Sequence, residues 1–350
     1  MLGESVNLRE RRAAAGDFCA RRRAWICFDI GVGDSLKLLQ LVLPLFLVVG
    51  AGYGLRRAGV FTEEGDQSLL GILIKLFVPC LALDAIIGNE ALARPGNWFF
   101  PPLAGFLIAA LGYGLCLAAG YVFCRDAKVR RTFASVAGLQ NYAYIALPLC
   151  MALFERDVVG VLFAFNLGVE VAMWSLGVAL VAGGRSGPPW RALVINPPIL
   201  AVVCALGLNA LGVGAWVPVA LDQAWHMLGL CAVPLGLLVT GAMLADHATP
   251  QVLRSGWSVT AWGILMRLGV LPGCILLAAV FLPLDPDLQA VLVVQAAMPS
   301  AVFPAVLAKL YGGDVPTALR VILGTSLLGL LGIPLWLGFG LRLIQDGRGF

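Results

Sequence analysis

The sequence predicts an all-α integral membrane protein of ten transmembrane helices, arranged as two inverted five-helix repeats whose fourth and ninth helices are broken and cross. Three observations predict it. Of 350 residues, 60% are hydrophobic and 13% charged, whereas soluble domains carry about 25% charged residues. The apolar residues gather into ten segments, each near the ~20 residues that cross a hydrocarbon core. The halves also repeat: Pro44, Val48, Val49 and Ala51 recur as Pro198, Val202, Val203 and Ala205, Val78-Pro79 recurs as Val233-Pro234, and Pro148 recurs as Pro304, all at displacements of 154 to 156 residues. With an odd number of spans per repeat, the second copy enters the membrane from the opposite side, the architecture of secondary transporters.

Residues 1–35 differ from the rest. Arg9, Arg11, Arg12 and Arg21-Arg22-Arg23 precede a short apolar patch, Ala24 to Phe28, that Asp29 ends. The patch is too short for a span and lacks a cleavage pattern, so a disordered basic leader is expected. The spans follow at 36–55, 68–87, 99–124, 132–154, 158–182, 198–214, 220–244, 257–282, 288–310 and 318–343. They divide into a first repeat, 36–183, a connecting loop, 184–197, and a second repeat with a short tail, 198–350. Turn residues such as Arg94-Pro95-Gly96-Asn97 and Asp285-Pro286-Asp287 punctuate the connections. Within the first span, Gly50-x-x-x-Gly54 has the spacing of close helix packing.

Lys and Arg in the loops set orientation. Arg56, Arg57, Arg125, Lys128, Arg130, Arg131, Arg185, Arg191, Arg254, Lys309 and Arg320 fall on one side, against Arg94 and Arg156 on the other. The loops thus put both termini outside the cytoplasm, although the basic residues of the two termini, counted in, make the sides equal. A multi-pass protein of the cell membrane, the bacterial inner membrane, is the expected location.

The polar residues at membrane depth are the candidates for chemistry. Ser135 to Cys150 carries Gln140, Asn141, Tyr142 and Tyr144 ahead of Pro148, which has no N–H and leaves the Tyr144 carbonyl without its helical partner. In hydrocarbon such a group is tolerated only against protein or a water-lined cavity. Its counterpart, Val294 to Pro304, holds Gln295, Pro299, Ser300 and Pro304. Crossing the two breaks brings two helix N-termini, each with partial positive charge, to one midplane point. Asn141, Tyr142, Tyr144, Gln295 and Ser300 are therefore expected to contact substrate, with Pro79, Pro148, Pro234, Pro299 and Pro304 as hinges. Lys75 and Arg267 lie inside spans, where a charge is a functional hypothesis unless it snorkels, and both are also expected to bind substrate. Glu170, one turn after Asn166 on the same face, reads equally as a proton or cation site or as the ion-pair partner of Arg267. The net positive interior favours a small organic anion.

These residues resemble the auxin efflux carrier family, which includes bacterial malate and malonate permeases. The resemblance is carried by Asn141-x6-Pro148-Leu149, Met298-Pro299-Ser300-Ala301, Leu307-Ala308-Lys309-Leu310-Tyr311-Gly312-Gly313-Asp314, Thr325-Ser326 and the Val-Pro pairs of the second and seventh spans. It covers residues 36–343 and implies the inverted ten-helix fold, mono- or dicarboxylate substrates and a homodimer. Ala143 and Ala146 stand where the family often has glycine, and Phe303 where it often has a polar residue.

Other classes fit less well. The formal charge of +4 is spread through short loops instead of a solvated patch, so no nucleic acid partner is expected. Nine dispersed cysteines without C-x-x-C and two unpaired histidines indicate neither a disulfide framework nor a metal site, and no cofactor is expected. Gly31-Val32-Gly33-Asp34 matches a string of intramembrane aspartyl proteases, but it lies in the leader with no second aspartate at matching depth. A channel is the other alternative to a carrier, less suited to an inverted repeat with kinked crossovers.

Overall fold

The structure is a computed structural model in which residues 35–94, 96–184, 194–247 and 256–346 are described. The basic leader and most of the loop expected at 184–197 lie outside them. Among the described residues every long element is a helix, and seven are long and apolar enough to cross a membrane: Lys37–Arg57, Ser68–Ile86, Gly96–Phe123, Arg156–Ala182, Val219–Asp246, Trp257–Phe281 and Val315–Gln345. Among the described residues the only β pairing is a single bridge between Gln140 and Ser300.

In chain order, α1 (Ser35–Arg57) is followed by α2 (Glu63–Ile72) and α3 (Val78–Ile86), which a π turn at Leu73–Phe77 joins into one span. The 28-residue α4 (Gly96–Phe123) leads to α5 (Ala127–Gly138) and α6 (Ala146–Leu153). A second span with a π turn comprises α7 (Arg156–Ala172), Met173–Gly177 and α8 (Val178–Ala182). Then come the short α9 (Pro197–Ala210) and the pair α10 (Val219–Leu230) and α11 (Ala232–His247). A third π turn, Met266–Val270, joins α12 (Trp257–Leu265) to α13 (Leu271–Phe281), and α14 (Pro286–Ala297), α15 (Phe303–Leu310) and α16 (Val315–Asp346) complete the chain.

Local chemistry explains the boundaries. The Asp126 carboxylate caps α5 by accepting from Lys128 N at 2.7 Å and Val129 N at 3.3 Å, and Asp285 caps α14 ahead of Pro286, which needs no N–H partner in a first turn. Two π turns stand directly before Val78-Pro79 and Leu271-Pro272. A proline cannot donate to the carbonyl four residues back; for Pro272 that carbonyl belongs to Leu268, and the Trp336 indole of α16 takes it at 2.7 Å.

The expected segments 132–154 and 288–310 are not continuous helices. Each is two halves, α5 with α6 and α14 with α15, separated by non-helical chain. The breaks lie ahead of Pro148 and Pro304, whereas Pro299 sits inside the second break. Pro148 and Pro304 occupy the first turns of α6 and α15, where the missing N–H costs nothing, so they begin the second halves.

Helix α4 packs on α5 and α7, α1 on α11 and α16, and α3 on α9 and α10. The closest approach of α1 to α11 is at Gly52, where a Cβ would run into the Leu238 backbone, and Gly241 meets Val49 and Tyr53 in return. Gly50 and Gly54, whose spacing suggests the packing face, have nothing within 4 Å; helical geometry puts Gly52 on a different face from that pair. Gly52→Ala should therefore lower thermal stability by about 1–3 kcal/mol, the cost of overpacking. Gly50→Ala and Gly54→Ala should leave the melting temperature of the detergent-solubilised protein unchanged.

Candidate functional site

Helix α5 ends at Gly138, Leu139 is extended, and α6 does not begin until Ala146. α14 ends at Ala297, Met298 is extended, and α15 begins at Phe303. The two unwound stretches lie antiparallel. Asn141 N donates to the Pro299 carbonyl at 2.7 Å and Ala301 N to the Leu139 carbonyl at 3.0 Å, with Gln140 opposite Ser300. Each stretch thus supplies the backbone partners the other lacks, which lets irregular chain exist at membrane depth.

The side chains at this crossing are polar, buried and incompletely satisfied. Gln140 is fully buried with neither amide atom bonded, and the Ser300 hydroxyl has no partner. Gln295 Nε2 donates to the Tyr142 carbonyl at 3.2 Å while its Oε1 is unpaired. Asn141 Oδ1 accepts from Ile145 N at 3.4 Å, a long bond just ahead of α6. Thr325 of α16 accepts from Ser300 N at 3.2 Å. Buried polar groups are normally paired, so three side chains with unpaired atoms at one crossing have hydrogen-bonding capacity to spare.

Arg267 reaches the crossing from the π turn between α12 and α13. It is 1% exposed, its Nε donates to the Met298 carbonyl at 3.0 Å, and its Nη2 is buried without a partner. Glu170 does not pair with it: the carboxylate accepts the Tyr142 hydroxyl at 2.6 Å on Oε1 and the Trp174 indole at 3.0 Å on Oε2. Of the two readings of Glu170, the ion pair with Arg267 is thus not formed.

Beside the crossing lies a cavity of about 80 Å³, room for several waters where ~10–15 Å³ admits one. Tyr142, Tyr144, Pro148, Asn166 and Glu170 line it against apolar residues of α3, α9 and α11, and Val78 and Val233, which precede the hinge candidates Pro79 and Pro234, are among them. Asn166 Oδ1 is buried and unpaired. Lys75 is not drawn in: it is exposed in the first π turn and absent from the cavity wall.

Gln140, Thr325, Trp174 and Trp336 take part in this arrangement without having been candidates. Gln140 and Thr325 sit inside strings singled out for other residues. The two tryptophans gave no signal, because each acts through an indole N–H whose acceptor is set by packing.

A profile of the family described as membrane transport protein matches this chain twice, over residues 37–188 and 186–337. An uncharacterized transporter of Methanocaldococcus jannaschii is 24% identical over 307 residues, covering 85% of this chain and 97% of its own length. Another from Methanothermobacter thermautotrophicus is 23% identical over 305 residues, covering 85% and 96%. With both halves matched by the one profile, the chain belongs to the auxin efflux carrier-like family of membrane transport proteins.

Proposed function

We propose that this protein is a secondary transporter that moves a small organic anion, a mono- or dicarboxylate, by alternating access at the crossing of its two broken helices. The observation that carries the reading is the antiparallel pairing of the two unwound stretches, with α6 and α15 both starting there. Helix N-termini carry partial positive charge, and Arg267 adds a full charge against the Met298 carbonyl. A carboxylate arriving there meets donors in Asn141, Ser300, the second N–H of Gln295 Nε2 and the unpaired Nη2 of the guanidinium, which suits charge-assisted recognition.

In this proposal the chain forms ten spans in two inverted five-helix repeats, counting each pair of half-helices as one span. The double match of one family profile supports the repeat. The loop charges orient the bundle with both termini outside the cytoplasm, and the homodimer rests on the family likeness. Coupling to an ion is not required in principle, because each anion charge moved along the membrane potential gains about 2.3 kcal/mol per 100 mV.

Counterflow in proteoliposomes tests the reading. Vesicles loaded with unlabelled malonate or malate should take up the labelled anion transiently against its gradient, and Asn141→Ala should abolish this. That variant also loses the long bond from Ile145 N and should melt earlier by about 0.5–1.5 kcal/mol at most, while remaining folded. Passive equilibration without overshoot would indicate a channel, and chemical change of the labelled anion an enzyme.

A further inference from the structure

Glu170 stands at membrane depth, and no cation pairs with it within 4.0 Å among the described residues. An ionised carboxylate so placed costs several kcal/mol and gains by taking up a positive charge. The choice is between a metal ion and a proton, and the geometry separates them. A hard metal cation of this kind takes six or more oxygen ligands. Here the side chains lining the cavity supply at most the carboxylate, Asn166 Oδ1 and the Tyr142 and Tyr144 hydroxyls, and both carboxylate oxygens already receive donors, from Tyr142 and from Trp174. A proton needs one lone pair and one acceptor for the new O–H.

That acceptor exists. The Tyr142 hydroxyl, 2.6 Å from Glu170 Oε1, is also 3.9 Å from Met173 Sδ. When Oε1 gains a proton, the new O–H donates to Tyr142 Oη, and the tyrosine hydrogen turns from the carboxylate to the sulfur. The Trp174 bond to Oε2 is untouched. On release the hydroxyl turns back, so neither state strands a charge or a donor.

We propose that Glu170 is the proton site of an anion–proton symport, with the Tyr142 hydroxyl conveying its protonation state to the crossing helices. The inference rests on the transport reading above and deepens it by naming the co-transported ion. Tyr142 is suited to the second role because it belongs to the crossing: its carbonyl accepts Gln295 Nε2, and the N–H of Asn141 before it bonds to Pro299. The titratable groups around Glu170 are Tyr142 and Tyr144 of the unwound stretch and Tyr113 of α4. Helices α3, α9 and α11 face the cavity with Val78, Ile199, Val202, Ala232 and Val233, so no other acid or base competes for the proton there.

The test uses the full chain in liposomes loaded with a pH-sensitive dye, in sodium-free buffer at clamped potential, with malonate as the probe. Inward malonate should acidify the lumen, and in Glu170→Gln the proton that accompanies each malonate should vanish. Malonate uptake without acidification, acidification that survives in Glu170→Gln, or uptake that depends on sodium at constant pH would each overturn the proposal. An infrared titration of the same membranes needs no transport. The wild type should show the band of a protonated carboxyl group in apolar surroundings, Glu170→Gln should lack it, and Tyr142→Phe should shift it. If neither malonate nor malate moves, the transport reading falls, and the infrared arm still decides whether Glu170 takes a proton; absence of the band rejects the proposal.

Discussion

Replacing Arg267 by glutamine is expected to weaken malonate and malate counterflow sharply while leaving the purified protein as stable as the wild type or more so. The two effects have opposite signs because Arg267 is buried with Nη2 unpaired and, among the described residues, no carboxylate within 4.0 Å. A buried cation without a counter-ion costs several kcal/mol, and a neutral amide removes that cost without orphaning an acid. The anion, by contrast, loses a charge-assisted bond worth about 1.5–3 kcal/mol, roughly 10- to 150-fold in affinity at 1.4 kcal/mol per tenfold. Arg267→Lys should fall between, keeping the charge but not the planar fork. Glu170→Gln in the same chain should rescue nothing, since no contact joins the two residues. A purified Arg267→Gln protein that melts well below the wild type, or that exchanges malonate normally, would return Arg267 to a scaffold role.

How much of this was legible in the sequence depended on the range of the interaction. Apolar runs, helix caps and prolines act over a few residues, so the all-helical membrane character and the two polar breaks could be read directly. Where each break falls could not, because Pro148 and Pro304 only forbid an N–H bond. The chain satisfies that by beginning a helix at the proline and unwinding before it, an option open only because the other unwound stretch is there to pair with. The partners of charged side chains were hidden for the same reason. Arg267 and Glu170 are the natural pair on paper, yet folding gives Arg267 the Met298 carbonyl and gives Glu170 a tyrosine and a tryptophan. Glycine spacing misled similarly: the x-x-x motif selects Gly50 and Gly54, whereas the neighbouring helix is at Gly52.

Gly138→Ala is expected to destabilise the protein and stop transport together, because it strikes the junction between helix packing and the crossing. Gly138 is the last residue of α5, and a Cβ there would stand 2.7 Å from Gly112 C and Tyr113 N and 2.8 Å from Gly112 O. All three atoms are backbone of α4, so no side-chain rotation relieves the clash; Gly112, facing it, would clash with the Gly138 carbonyl in return. Helix α4 is held along its length by α7, which leaves the end of α5 to move. The next residues are those whose backbone pairs with the second break, through the Leu139 carbonyl and Asn141 N. Overpacking costs about 1–3 kcal/mol, and the two backbone bonds contribute about 0.5–1.5 kcal/mol each. The melting temperature should therefore fall more for Gly138→Ala than for Gly52→Ala, and only Gly138→Ala should silence counterflow in the fraction that remains folded. Gly114→Ala supplies the control: it lies on the same helix two residues beyond Gly112, has nothing within 4 Å, and should match the wild type in both assays. Normal melting and normal counterflow in Gly138→Ala would mean that the crossing tolerates displacement of α5, and that its antiparallel pairing is not what holds the site.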